Sequence, residues 1–90
     1  MKLKVQGSNQ TVLQGHDWEV FFSYETPVVA VHRTTRSMIK VDKATCPKWS
    51  VTTSRHVNKY LSQFRMDRFE VEVVEQKKLD NLMENASLWA

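Results

Sequence analysis

The chain has few residues that bend it and no pair of cysteines to cross-link it. Two glycines and two prolines occur in 90 residues. So few breakers exclude a linker-rich or disordered chain. Two glycines also cannot build a P-loop or a dinucleotide-binding turn in their usual forms. The single cysteine, Cys46, excludes an intrachain disulfide and fits a reducing cytoplasm. No apolar run nears the roughly 20 residues of a membrane span. The opening M-K-L-K-V-Q is basic but has no apolar segment of the kind a signal peptide needs.

What is present is enough for one packed core in a single domain spanning 1–90: 41% hydrophobic residues, among them three Trp, four Phe and two Tyr. A domain of this size buries roughly 60–65% of its unfolded surface, so its stability is modest. Net charge is +3, but it is unevenly spread. From His32 to Arg68 there are nine Lys or Arg and two acids, a balance of +7; the rest of the chain has four Lys and eight acids, a balance of −4. Such asymmetry predicts one basic side.

Hydrophobic periodicity predicts the elements. Leu3 and Val5, then Val12 and Leu13, flank Gly7–Gln10 as two short strands around a turn. Trp18, Val20, Phe22 and Tyr24 alternate with more polar neighbours, the pattern of a half-buried strand. Glu25-Thr26-Pro27 is expected to break it. Val28–Val31 reads as a strand covered on both faces, Met38–Val41 as a shorter one, and Phe69–Val73 as the last. Val57, Tyr60, Leu61 and Phe64 form one helical stripe, and Leu79, Leu82, Met83 and Ala86 another. The expected fold is α+β: an antiparallel sheet of about five strands packed against two helices.

Trp49–Leu61, W-S-V-T-T-S-R-H-V-N-K-Y-L, has the most to say about function. Thr52, Thr53 and Ser54 stand where a helix N-cap is expected, because a side-chain oxygen there accepts from the free amides of the first turn. Arg55 and His56 then follow in the expected first turn, with Lys59 one turn on, where Asp or Glu would suit the positive end of the helix dipole better. No Glu or Gln follows at the capping-box position. A bound anion is one reason to accept such a start; the plain alternative is that the hydroxyls only cap the helix.

Ser23–Val28, S-Y-E-T-P-V, together with the Trp49–Leu61 motif, resembles a group of small bacteriophage and prophage proteins that pair "SYETPVA" with "SVTTSKHIN" about twenty residues later. L-D-N-L at Leu79–Leu82 is similar to their C-terminal end, and the likeness runs from Gln6 to Leu82. The chain departs from the pattern near Gln14–Glu19, which looks like added length, and has Arg55 where many relatives have Lys. The resemblance implies a phage origin and supplies no mechanism.

His16, His32, Cys46 and His56 are the soft ligands available, but none forms a close pair of the sort zinc sites use, so no metal or other cofactor is expected. Cys46 and His56, ten residues apart near a helix start, are the best case for a nucleophile; a packed loop cysteine is the plainer reading, and no enzyme activity is expected. Arg33, Arg36, Lys48, Thr52, Thr53, Ser54, Arg55, His56, Lys59, Arg65 and Arg68 are the expected anion- or partner-binding residues. Phe21 and Trp89 fall off the main apolar faces or at the chain end and read as an exposed hydrophobic interface. Binding without catalysis follows, in the cytoplasm of an infected bacterial host and away from membranes. The first expected partner is a host protein that is inhibited or redirected. Nucleic acid held by the basic helix and loop is the second, and a sequestered small anion or nucleotide signal the third. A second copy covering Val28–Val31 would make a homodimer.

Overall fold

The computed structural model describes residues 2–7, 9–15, 17–46 and 49–84. Trp89 and Lys48, two of the expected site residues, lie outside them, as does His16. The elements in order are β1 (Lys2–Gly7), β2 (Gln10–Gln14), β3 (Trp18–Ser23), β4 (Thr26–His32), β5 (Ser37–Val41), α1 (Val51–Leu61), a 3₁₀ turn (Met66–Arg68), β6 (Glu70–Val74) and α2 (Gln76–Glu84). The class is α+β with two helices, as the periodicity predicts, and the sheet has six strands in sequence order.

Neighbouring strands pair antiparallel from β1 to β5, and β6 pairs parallel to β5. The parallel pair requires a crossover between its strands. The segment from Asp42 to Phe69, with α1 at its centre, supplies it. Pro27 does not end the structure. The chain reverses in a tight turn at Tyr24 and Glu25, and β4 begins at Thr26, its pairing with β3 shifting between Phe21 and Phe22. The shift absorbs Val28 as an extra residue, and a bulge of this kind tolerates a proline.

The middle of the sheet is covered on both faces. On one face, Phe21 of β3 stacks on Tyr60 of α1, with ring centroids 4.4 Å apart and planes 9° from parallel. Glu19 and Ser23, on the same face by alternation, meet Tyr60 and His56. The other flank of α1, at Ser54 and Val57, borders a hollow shared with Lys40 and Val73. Helix α1 therefore lies along β3 and over the middle of this face, where Val29, Val31 and Met38 are buried, and leaves β6 at its margin. Val20, Ala30 and Ile39 point the other way. Helix α2 covers that face: it packs on β4 and β5, and its Lys78 reaches Glu72, the residue paired with Ile39. The Gln76 side chain ties α2 down by donating from Nε2 to Pro27 O at 2.8 Å.

Phe21 is therefore not an interface residue; no part of its surface is exposed. Alternation within β3 puts it on the face opposite Trp18, Val20 and Phe22. A single strand cannot show that this second face also has a cover.

The Tyr60 hydroxyl donates to Glu19 Oε2, and Gln14 Nε2 donates to Oε1 of the same carboxylate. Burial, then the hydrogen bond to Glu19 and its charge, hold the Tyr60 pKa far above an ordinary tyrosine; Arg33 opposes this. A raised folded pKa means the neutral form is favoured in the native state. Its stabilisation is fully present below the ordinary value of about 10 and is lost as pH climbs beyond it. Urea unfolding should therefore show stability falling above roughly pH 10 by up to about 1.4 kcal/mol per unit, with a shallower fall in Tyr60→Phe. Equal slopes in the two proteins would remove Tyr60 as the cause.

Candidate functional site

The two sequence motifs meet in space. Ser23–Thr26 forms the end of β3, the turn and the start of β4. Ser50–His56 forms the opening of α1, which runs antiparallel to β3, with Thr53 and His56 over Ser23 and Tyr60 over Glu19. Ser23 Oγ lies 2.8 Å from His56 Nδ1 and donates to Thr53 Oγ1 at 3.4 Å. All three residues are buried. Tyr24 takes a left-handed backbone, φ 57°, an uncommon choice for an aromatic residue. Its amide donates to Asn9 O, and its ring sits 5.7 Å from that of His56.

Helix α1 starts earlier than the hydroxyl run implies. Ser50 is the N-cap, with extended backbone, and its Oγ accepts from the Thr53 amide at 3.2 Å. Thr52, Thr53 and Ser54 are inside the helix. Thr53 faces the sheet, Thr52 is exposed, and Ser54 Oγ accepts from Trp49 Nε1 at 2.9 Å. This moves Arg55 and His56 into the second turn, where the dipole effect has largely faded. Lys59 lies in the last turn, where a cation is favourable. The first turn still holds no acid, and the amides of Val51 and Thr52 have no intrahelical acceptor.

Beside this opening is a hollow of about 300 Å³, walled by Ser23, Tyr24, Thr26, Val28, Cys46, Ser50 and Thr53. Five of the seven carry hydroxyls and none is charged. Ser23, Ser50 and Thr53 are hydrogen-bonded to the fold, whereas the Tyr24 and Thr26 hydroxyls have no partner among the described residues. Cys46 contributes a buried sulfur, held by a turn in which its amide bonds to Asp42 O and Lys43 O.

Most of the expected basic residues do not gather at the hollow. The Arg33–Arg36 turn joins β4 to β5 at the end of the sheet where α1 finishes, away from the hollow. Arg65 and Arg68 follow α1 to that same end, where the Glu70 amide bonds to Arg36 O. Asp17, Glu19, Asp67 and Glu70 are interspersed there. Arg55 and Lys59 are exposed on α1 itself. His32, bonded to Thr35 and edge-on to Trp18, is also at the far end. Among the described residues, no three of His, Cys, Asp and Glu gather where they could hold a metal ion, and no carboxylate hydrogen-bonds His56. With 2% of its surface exposed, Ser23 serves as a clasp between β3 and α1.

Sequence reading missed Ser23, Tyr24, Thr26 and Ser50 as walls of one site. The signal was present in the two motifs, but their adjacency depends on α1 folding back over β3.

The fold is that of a small α+β domain, a single sheet with one helix on each face and a hollow at the opening of the first. The chain belongs to a family of unknown function, DUF8033, matched over residues 1–81. No curated protein and no solved structure matches it. No described helix is long and apolar enough to cross a membrane.

Proposed function

We propose that this protein acts by binding, not catalysis, and that its recognition site is the hollow between the Tyr24 turn and the opening of α1. The occupant is a side chain of a host protein, which the small domain blocks or redirects in the cytoplasm of an infected bacterial cell. The phage source comes from the motif likeness alone. The observation that carries the reading is the hollow's size and chemistry. About 300 Å³ is at the floor of small-ligand sites, large enough for one or two side chains and tight for a nucleotide. Its Tyr24 and Thr26 hydroxyls, which have no partner among the described residues, and the nearby first-turn amides suit an inserted carboxylate or amide.

The position of Arg33, Arg36, Arg65 and Arg68 away from the hollow, and the acids among them, count against a polyanion stripe around the opening of α1 as the first reading. Direct nucleic-acid binding stays second, resting on exposed Arg55 and Lys59.

Thr26→Trp puts a bulky, strand-compatible side chain into the wall. A tagged wild-type protein should recover one defined protein from bacterial lysate in stoichiometric amount. Thr26→Trp should lose it while keeping its circular dichroism. A variant with Arg33, Arg36, Arg65 and Arg68 all changed to Ala should keep it. Equal recovery by Thr26→Trp rejects the hollow. A salt-sensitive mobility shift with DNA or RNA, lost on changing Arg55 and Lys59 to Ala, would put the second reading first.

A further inference from the structure

Among the described residues, the two outer edges of the sheet are open. Among the described elements β1 pairs only with β2, and β6 only with β5. Such edges are templates for another strand. Both are also unusually apolar for exposed positions: Leu3 is 68% and Val5 77% exposed on β1, and Val71 is 43% and Val73 62% exposed on β6.

The faces on which these residues stand differ between the edges. Lys4 is paired with Val12, which is paired with Phe21, so Lys4 is on the α1 face; Leu3, aligned through Leu13 with Val20, is on the α2 face with Val5. On β6 the arrangement is reversed. Val71 and Val73, paired with Met38 and Lys40, are on the α1 face, whereas Glu70 and Glu72 are on the α2 face. One edge thus presents cation on the first face and apolar groups on the second. The other presents apolar groups on the first and anions on the second.

We propose that β1 of one copy adds antiparallel to β6 of the next, extending the sheet from molecule to molecule. Strands β1 and β6 run in the same direction within a copy. An antiparallel junction between them therefore needs a half-turn about an axis in the sheet and perpendicular to the strands, which exchanges the faces. The exchange sets Lys4 beside Glu70 and Glu72, and Leu3 and Val5 beside Val71 and Val73. A parallel junction keeps the faces and sets Lys4 beside valine. Joining β1 to β1, or β6 to β6, antiparallel sets like charge against like. Opposite charges across strands stabilise and like charges destabilise, so the edges select each other over themselves. The contact is heterologous, and it propagates into a ring or filament unless capped. The exposed Lys78–Glu72 pair, 3.7 Å long, leaves Glu72 able to take a second cation.

Sedimentation velocity from micromolar to millimolar protein tests this. The wild type should grow with concentration past a dimer, less so at high salt. Lys4→Glu alone, and Glu70→Lys with Glu72→Lys, should each weaken association about tenfold or more while keeping native circular dichroism. Mixing the two variants should restore it, because each then offers the edge that the other needs. A wild type that stays monomeric, an assembly that stops at a dimer, or a mixture that associates no better than its components overturns the proposal.

Discussion

Phe21→Ala is expected to lower unfolding stability by about 3–5 kcal/mol, the usual cost of emptying a buried aromatic site. A domain of this size has roughly 5–13 kcal/mol in total, so much of it goes. The midpoint of thermal unfolding should drop by more than about 12 °C. The cause is specific. Phe21 is fully buried against Tyr60, and its neighbours on that face, Val12 and Val29, have no more than 2% of their surface exposed. Nothing nearby can collapse into the gap without tilting α1, and α1 carries the Ser50–Thr53 wall of the hollow. On the binding role proposed above, the variant should therefore lose partner recovery along with stability. Urea and thermal unfolding check it. A loss below about 1 kcal/mol would mean that Phe21 is at the surface, and the α1 face would need redrawing.

Leu79→Ala is expected to cost about 2–5 kcal/mol through the opposite face. Leu79 is 1% exposed and is a fully buried α2 residue, together with the mostly buried Gln76. A nine-residue helix is marginal in water without tertiary packing. Losing its anchor should fray α2 as well as lower global stability, and hydrogen exchange should show α2 amides exposed before those of β3 and β4. Gln76 makes the effect larger. Its Nε2 bond to Pro27 O holds only while α2 is docked, and its Oε1 is buried with no hydrogen-bond partner among the described residues. If the α2 amides exchange together with the central strands, the helix belongs to the same cooperative unit and the local fraying is wrong.

These two substitutions also mark how far the sequence could be read. Period-two alternation in β3 and the stripe of Val57, Tyr60, Leu61 and Phe64 were legible because each is a local pattern with one geometric meaning. The α+β class followed from the order of such patterns. Phe21 was not legible, since a strand covered on both sides carries apolar residues on both parities, and only one parity stood out. The helix start was misplaced for a similar reason. Ser50, Thr52, Thr53 and Ser54 are all chemically able to cap, and the choice of Ser50 depends on Thr53 turning inward to meet Ser23.

By itself the amino-acid sequence determined the class of fold, the identity and faces of most elements, the absence of an intrachain disulfide, and the two motifs that stand out from the rest of the chain. Those are consequences of composition and of backbone periodicity, which act within a few residues. Only the tertiary structure decided that the segments meet, that Arg33, Arg36, Arg65 and Arg68 lie at the end of the sheet away from the hollow, and that the sheet finishes with two edges of opposite character. The physical reason is the crossover through α1. It returns the chain over β3 and delivers β6 parallel to β5, a long-range arrangement that no local pattern encodes.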